Sequence, residues 1–315
     1  MFLTPVLVVL SLTIIAQTKI NPIRNDLELE NRALVVGDQS QTPNIPSDII
    51  TLNNAAVAKG MKGNYEEAII DFRRAYDAAP QCMQCGYNLA AALFRTRRFD
   101  ESRRIYTDLI RIKADYGQAY SGLGDALYAE GNYDESIAAY RRALQLMPND
   151  AATLNNLGIT LNAAGDYKRA FENLEKAAKI EPNLKGVLSN LGAVLYRLGR
   201  YREAVEVLRR AVAVDPASAE AHNNLGVALC RIGKHKEEHK HYLEAVRLRP
   251  DYAEGLYNLA VNYLERGERD EARSRLAALE RLDTELSALF KKHYFQPFVL
   301  NAAEEVERKT AKRKP

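Results

Sequence analysis

Four of the five histidines crowd into one short stretch: His222, His235, His239 and His241, with Cys230 among them. The segment His235-Lys-Glu-Glu-His239 matches H-x-x-E-H. In that pattern two imidazoles one helical turn apart share a zinc ion, and a neighbouring carboxylate serves as base. A second soft pair is Cys82-Met-Gln-Cys85. An i,i+3 pair at a helix start meets the distance needed for a local disulfide. A thioredoxin-like site would need strands, and haem attachment would need a histidine where Gly86 stands. No nucleophile–base arrangement is legible. A third pattern is polar but not reactive. Asn54, Asn88, Asn156, Asn190, Asn224 and Asn258 recur in steps of thirty-four residues, with Gly122 at the one missed slot. A carboxamide offers both a donor and an acceptor, so it can pair with a peptide backbone whatever the side chain.

A period of this length means one helical unit stacked repeatedly. With Ala68 as position 20 of a repeat, the same slot holds Ser102, Ser136, Ala170, Ala204, Glu238 and Ala272. Position 8 is Ala56, Ala90, Gly124, Gly158, Gly192, Gly226 and Ala260. Both slots are mostly tiny, as two closely crossing helices need. Position 15 holds Gly63, Gly131, Gly165, Gly199, Gly233 and Gly267, which mark a turn. Position 32 holds Pro80, Pro148, Pro182, Pro216 and Pro250, which end the second helix. The pair Gly122-x-Gly124 lies inside a first helix with no preceding strand, so it is not a nucleotide loop.

Leu157-Gly158, Tyr167, Ala170, Leu174, Ala177 and Pro182 show that the unit resembles the tetratricopeptide repeat, W-x2-L-G-x2-Y, A-x3-F, then P. The family tryptophan is absent; Tyr120, Leu154, Leu188, His222 and Leu256 take its slot. The resemblance implies an all-α fold: a right-handed α-solenoid of seven antiparallel helix pairs, A then B, with a C-terminal capping helix. The repeats span 49–82, 83–116, 117–150, 151–184, 185–218, 219–252 and 253–286, followed by the cap and a basic tail over 287–315. Positions 4, 7, 8 and 11 of helix A share an arc that faces the core. In this family the opposite arc, positions 2, 5, 6, 9 and 13, lines the inner face.

The asparagines sit at position 6 of that inner arc. Neighbouring A helices lie about 9–10 Å apart, and an extended peptide advances about 3.3–3.6 Å per residue. Successive amides therefore match about every third peptide residue. The repeats are similar to those of the O-GlcNAc transferase family, whose inner asparagine ladder holds extended substrates; its catalytic region has no counterpart here. The same asparagine is frequent across the family, so it serves a ligand, the array itself, or both. Position 9 is largely small and apolar but holds Asp125, while position 13 includes Arg95, Arg197 and Arg231. An apolar floor with amide rungs and guanidiniums suits an extended peptide of some acidic character. The family's chaperone-tail clamp wants Lys at position 5 and Asn at position 9, and neither is present.

Repeat register argues against the zinc reading. His235 fills the tyrosine slot, Glu238 fills a tight alanine slot, and no third ligand follows at recognisable spacing, so His235, Glu238 and His239 imply no metal. Glu238 predicts a locally loosened repeat. No cofactor is implied. The 315 residues carry 44 basic and 41 acidic side chains, a net charge of +3 that gives no reason to expect nucleic acid. Phe2 to Ala16 is an apolar run without charge, of a length that suits a signal peptide over 1–16, with a retained membrane anchor as the alternative. Residues 17–48 read as a polar linker. The expectation is an exported, periplasmic or extracellular, non-catalytic scaffold for a protein or extended peptide. Envelope assembly or secretion is a finer alternative, and a metal-dependent enzyme is the competitor from another class.

Overall fold

The computed structural model describes residues 45–184 and 186–291. The signal-peptide or anchor segment, most of the linker and the basic tail lie outside them. Chain contacts divide the described residues into two compact units that meet in sequence at Leu184 and Lys185. The first unit holds α1 (Ser47–Met61), α2 (Tyr65–Ala78), α3 (Met83–Arg95), α4 (Phe99–Ile112), α5 (Gly117–Ala129), α6 (Tyr133–Leu146), α7 (Ala151–Ala163) and α8 (Tyr167–Ile180). The second holds α9 (Val187–Arg197), α10 (Tyr201–Val214), α11 (Ala219–Arg231), α12 (His235–Leu248), α13 (Ala253–Glu265), α14 (Arg269–Leu282) and α15 (Thr284–Phe290). No strand occurs among the described residues. Odd-numbered helices up to α13 are A helices, and each is followed by its B partner. Within each unit every helix packs on the next, and each A helix also touches the following A helix.

Local chemistry sets the punctuation. Six of the seven A–B turns place a glycine at position 15 with φ between 73° and 85°, a region where a Cβ is penalised. In the second repeat that slot is Arg97, which takes φ 63° without being glycine. The B helices with a proline at position 32 all stop two residues before it. Helix α4 stops at the same register with Ala114 there, so proline is not required to end the helix. Helix α9 starts two positions later in its repeat than α7, because Gly186 precedes it in a left-handed conformation (φ 80°).

The A–B crossing is as close as its small residues allow. A Cβ added to Gly158 would lie 2.5 Å from Leu174 Cγ, and one on Gly226 would lie 2.6 Å from Tyr242 Cε1. From the other side, Ser102 and Ser136 bury their hydroxyls by donating to the Ala90 and Gly124 carbonyls at 2.8 and 2.7 Å. At the end of the second unit, Phe290 of α15 meets Tyr257 edge-on, 5.4 Å between ring centres. Leu286 and Phe290 thereby join the core of the last repeat, as the expected cap does. The Asp283 side chain accepts from Leu286 N–H and starts that helix.

Candidate functional site

Four members of the asparagine row, Asn88, Asn156, Asn224 and Asn258, bond to the preceding A helix. Asn88 Nδ2 donates to Asn53 Oδ1 at 3.0 Å, Asn258 Nδ2 to Asn223 Oδ1 at 2.8 Å, and Asn224 Nδ2 to Ser189 Oγ at 3.2 Å. In each case position 6 of one repeat grips position 5 of the repeat before. The gap in the ladder has a steric origin. A Cβ at Gly122 would lie 2.2 Å from Tyr106 Cζ, because that ring tip occupies the space. The next rung adapts. Ser121, the position-5 residue, pairs with Thr153 at 2.8 Å instead. Asn156 Nδ2 therefore donates one turn later, to Asp125 Oδ1 at 2.9 Å, and the same oxygen accepts from Tyr140 OH at 2.5 Å. Asp125, Asn88, Asn156 and Asn258 are all buried, whereas Asn190 and Asn224 are half-buried and Asn54 is exposed. The expected uniform row of presented amides is thus unequal: three rungs are spent largely inside the array. Asn53, Ser189 and Asn223 are partners of the row that sequence reasoning missed. Their signal is a small polar residue at position 5, the slot a chaperone clamp would use.

The guanidiniums are also engaged. Arg95 donates to Tyr65 OH at 2.9 Å and stacks over its ring, and Arg231 donates to Tyr196 OH at 2.9 Å while lying over Tyr196 and Tyr201. Such stacking aims a planar fork and limits its freedom while its charge remains. Arg197 is half-buried on the same register. Burial pushes the Tyr196 hydroxyl up to about 12, against a smaller opposing pull from Arg231.

In the sixth repeat the structure separates the histidines. His222 and His241 bring their Nδ1 atoms to 3.0 Å, and His222 Nε2 lies 3.2 Å from the Pro216 carbonyl. His239 turns the other way, its Nδ1 2.6 Å from Asn262 Oδ1 and its ring edge-on to Tyr263. His235 Nδ1 lies 2.9 Å from Glu238 Oε2, and Asn262 Nδ2 donates to Glu238 Oε1 at 3.0 Å. His235 and His239 of the H-x-x-E-H segment therefore do not converge; Cys230 joins His235 and Glu238 instead. Nor is the repeat loosened: α12 runs unbroken from His235 to Leu248, and Glu238 is 1% exposed with both oxygens bonded. Burial, then Glu238 and Glu265, push the Cys230 thiol up to about 12. Burial and Glu238 raise the Glu265 carboxyl to about 7. Burial and His222 hold His241 below its ordinary value.

Cys82 and Cys85 are joined as a disulfide across the start of α3, and Cys85 N–H also points at Cys82 Sγ, 3.3 Å away. Cys230 is a free thiol. No helix among the described residues is long and apolar enough to cross a membrane.

Models of the tetratricopeptide repeat match residues 51–82, 115–183, 190–253 and 253–278, together more than half of the chain. No curated protein matches it. Among solved structures, TTC0263 of Thermus thermophilus, a thermophilic TPR protein, is 27% identical, with 57% of this chain and 99% of that one covered and a TM-score of 0.51. PilF of Pseudomonas aeruginosa is 19% identical over 68% of this chain and 96% of its own, with a TM-score of 0.59. The APC/C hetero-tetramer Cut9–Hcn1 provides a chain 17% identical, with 77% of this chain and 48% of that one covered and a TM-score of 0.67. The thirty-four-residue helix pair, repeated within both units and matched by all four models, makes this chain a member of the tetratricopeptide repeat family.

Proposed function

We propose that this chain is a non-catalytic scaffold that holds a partner protein or an extended peptide on the A-helix faces of its repeats. Family membership supports a protein partner. The observation that carries the reading further is the unequal burial of the amide row: Asn88, Asn156 and Asn258 are buried, whereas Asn190 and Asn224 keep accessible surface on the A-helix face. Asn224 is also held by the array, its Nδ2 donating to Ser189 Oγ at 3.2 Å, which sets the plane of its carboxamide. A polar group ordered before binding loses less entropy when a ligand arrives. Asn190 is followed one helical turn later by the half-buried Ala193, a small apolar neighbour that suits backbone pairing. The stacked Arg231 favours acidic character in the ligand.

The test is site-specific photo-crosslinking in the native host. A benzophenone side chain at Ala193, on the A-helix face, is compared with one at Glu206, exposed on α10. A discrete adduct from Ala193 that Asn190→Ala plus Asn224→Ala weakens supports the reading. Adducts confined to Glu206 defeat it. The finer reading, export to the periplasm or outside the cell, is supported by the apolar run Phe2–Ala16 and by the Cys82–Cys85 disulfide, a bond at home in oxidising compartments. A retained anchor would associate the protein with the envelope. The intact mass of the mature protein decides between cleavage near Ala16 and retention.

A further inference from the structure

In the second, third and fifth repeats, positions 12 and 17 hold an aromatic pair that clasps the A–B turn. The pairs are Phe94–Phe99, Tyr128–Tyr133 and Tyr196–Tyr201, with ring centres 5.3, 5.6 and 5.2 Å apart. In the sixth repeat the same two slots are Cys230 and His235. Position 20, beneath them, is Ala or Ser in every other repeat, each 0% exposed, and here it is Glu238. At this turn the two slots that elsewhere hold a ring pair, and the slot beneath them, hold a thiol, an imidazole and a carboxylate at a single point. Ligand atoms of all three lie within 4.8 Å of one another.

We propose that Cys230, His235 and Glu238 form a binding site for a thiol-seeking divalent cation of the zinc class, which clasps the turn of the sixth repeat as the aromatic pairs clasp theirs. The donor set suits that class: one sulfur, one imidazole nitrogen and one carboxylate oxygen, with the fourth tetrahedral position left to water. Tetrahedral zinc with bonds of about 2.0–2.3 Å spaces its donors roughly 3.3–3.8 Å apart. Closing the present triad by about 1 Å is within reach, because the His235 side chain is 70% exposed and can swing. The carboxylate is the held member. Glu238 is buried, and Asn262 orients its Oε1 while His239 abuts the amide of Asn262 in turn. That is the layered support ligating carboxylates commonly have. His239 is thus a positioning residue and no ligand, which distinguishes this site from a zinc ion shared by His235 and His239. The site ties residues on either side of the turn, Cys230 from α11 and the other two from α12. Its role is mechanical, and it stands independently of whichever ligand the A-helix face holds.

The experiment titrates the full-length, tag-free protein, stripped with chelator, first with Co2+ and then with Zn2+ in competition with a chromophoric chelator. The expected result is one equivalent of Co2+ giving a near-ultraviolet thiolate-to-cobalt charge-transfer band that Zn2+ abolishes. Cys230→Ser removes the band. Glu238→Ala, which installs the residue other repeats carry and so preserves the fold, weakens Zn2+ at least tenfold, as does His235→Ala. His239→Ala keeps the band, and His241→Ala leaves affinity within about twofold. Absence of a thiolate band at one equivalent, or Zn2+ affinity unchanged in both Cys230→Ser and Glu238→Ala, overturns the proposal. Binding abolished by His241→Ala overturns it equally, because the cation would then belong to the His222–His241 pair.

Discussion

Replacing Asn156 by alanine separates the two roles an inner asparagine can have. Its Nδ2 donates at 2.9 Å to Asp125, a carboxylate only 4% exposed. A hydrogen bond to a charged group contributes about 1.5–3 kcal/mol, more than a neutral pair does. Asn156→Ala removes it and gives Asp125 no water in return, since the site is closed. The expected loss is about 2 kcal/mol, which in an array of this size lowers the thermal midpoint by roughly 4–8 °C. Asp125→Ala costs about as much or more. It removes a buried charge but strands both the Tyr140 hydroxyl, which donates to the same oxygen at 2.5 Å, and the Asn156 amide. The double variant should then lose clearly less than the two singles summed, with a coupling of about 1–2 kcal/mol. Asn54→Ala, at an exposed rung, should stay within about 0.5 kcal/mol of the parent. Urea unfolding followed by circular dichroism reads all four proteins. If Asn156→Ala matches Asn54→Ala, or if the coupling is under about 0.5 kcal/mol, the bond carries no stability. The ladder then does not stitch the array together.

Other consequences are simpler to read. Arg97→Gly relieves a left-handed arginine at φ 63°, worth about 1–2 kcal/mol. Less the Arg97–Phe99 contact and the gain in unfolded-chain freedom, it should raise stability by about 0.5 kcal/mol; a lower urea midpoint would refute this. His241 titrates below its ordinary 6.5 when folded, because it is half-buried and faces His222. The unfolded chain therefore binds protons first, so stability holds above about pH 6.5 and declines as pH falls from there through the lower folded value. His241→Phe should flatten that slope in thermal melts across pH 5–8. Reducing the Cys82–Cys85 disulfide opens a four-residue loop, for which chain entropy predicts about 2 kcal/mol. Melts with and without a phosphine reductant, on the Cys230→Ser background, measure it.

The repeat and its helix pairs were legible because their causes are local and recur: glycine where φ turns positive, a tiny residue where helices cross, and a proline beyond each of five B helices. Even the missed slot at Gly122 was visible as a gap. Sequence could not say that the Tyr106 ring fills that gap or that Asp125 takes over as acceptor. Those choices depend on where a ring from one repeat ends against the backbone of the next. The same holds for the histidine-rich repeat. Spacing along one helix paired His235 with His239, since residues four apart share a face. Packing overruled it: Asn262 draws His239 toward α13, while Cys230, on the preceding helix, closes on His235 and Glu238. The sequence alone determined the period, the class of fold and the polar row. Tertiary structure decided which amides are spent between helices and which donors meet, because a helical period ranks neighbours within one helix and contains no information about the helix packed against it.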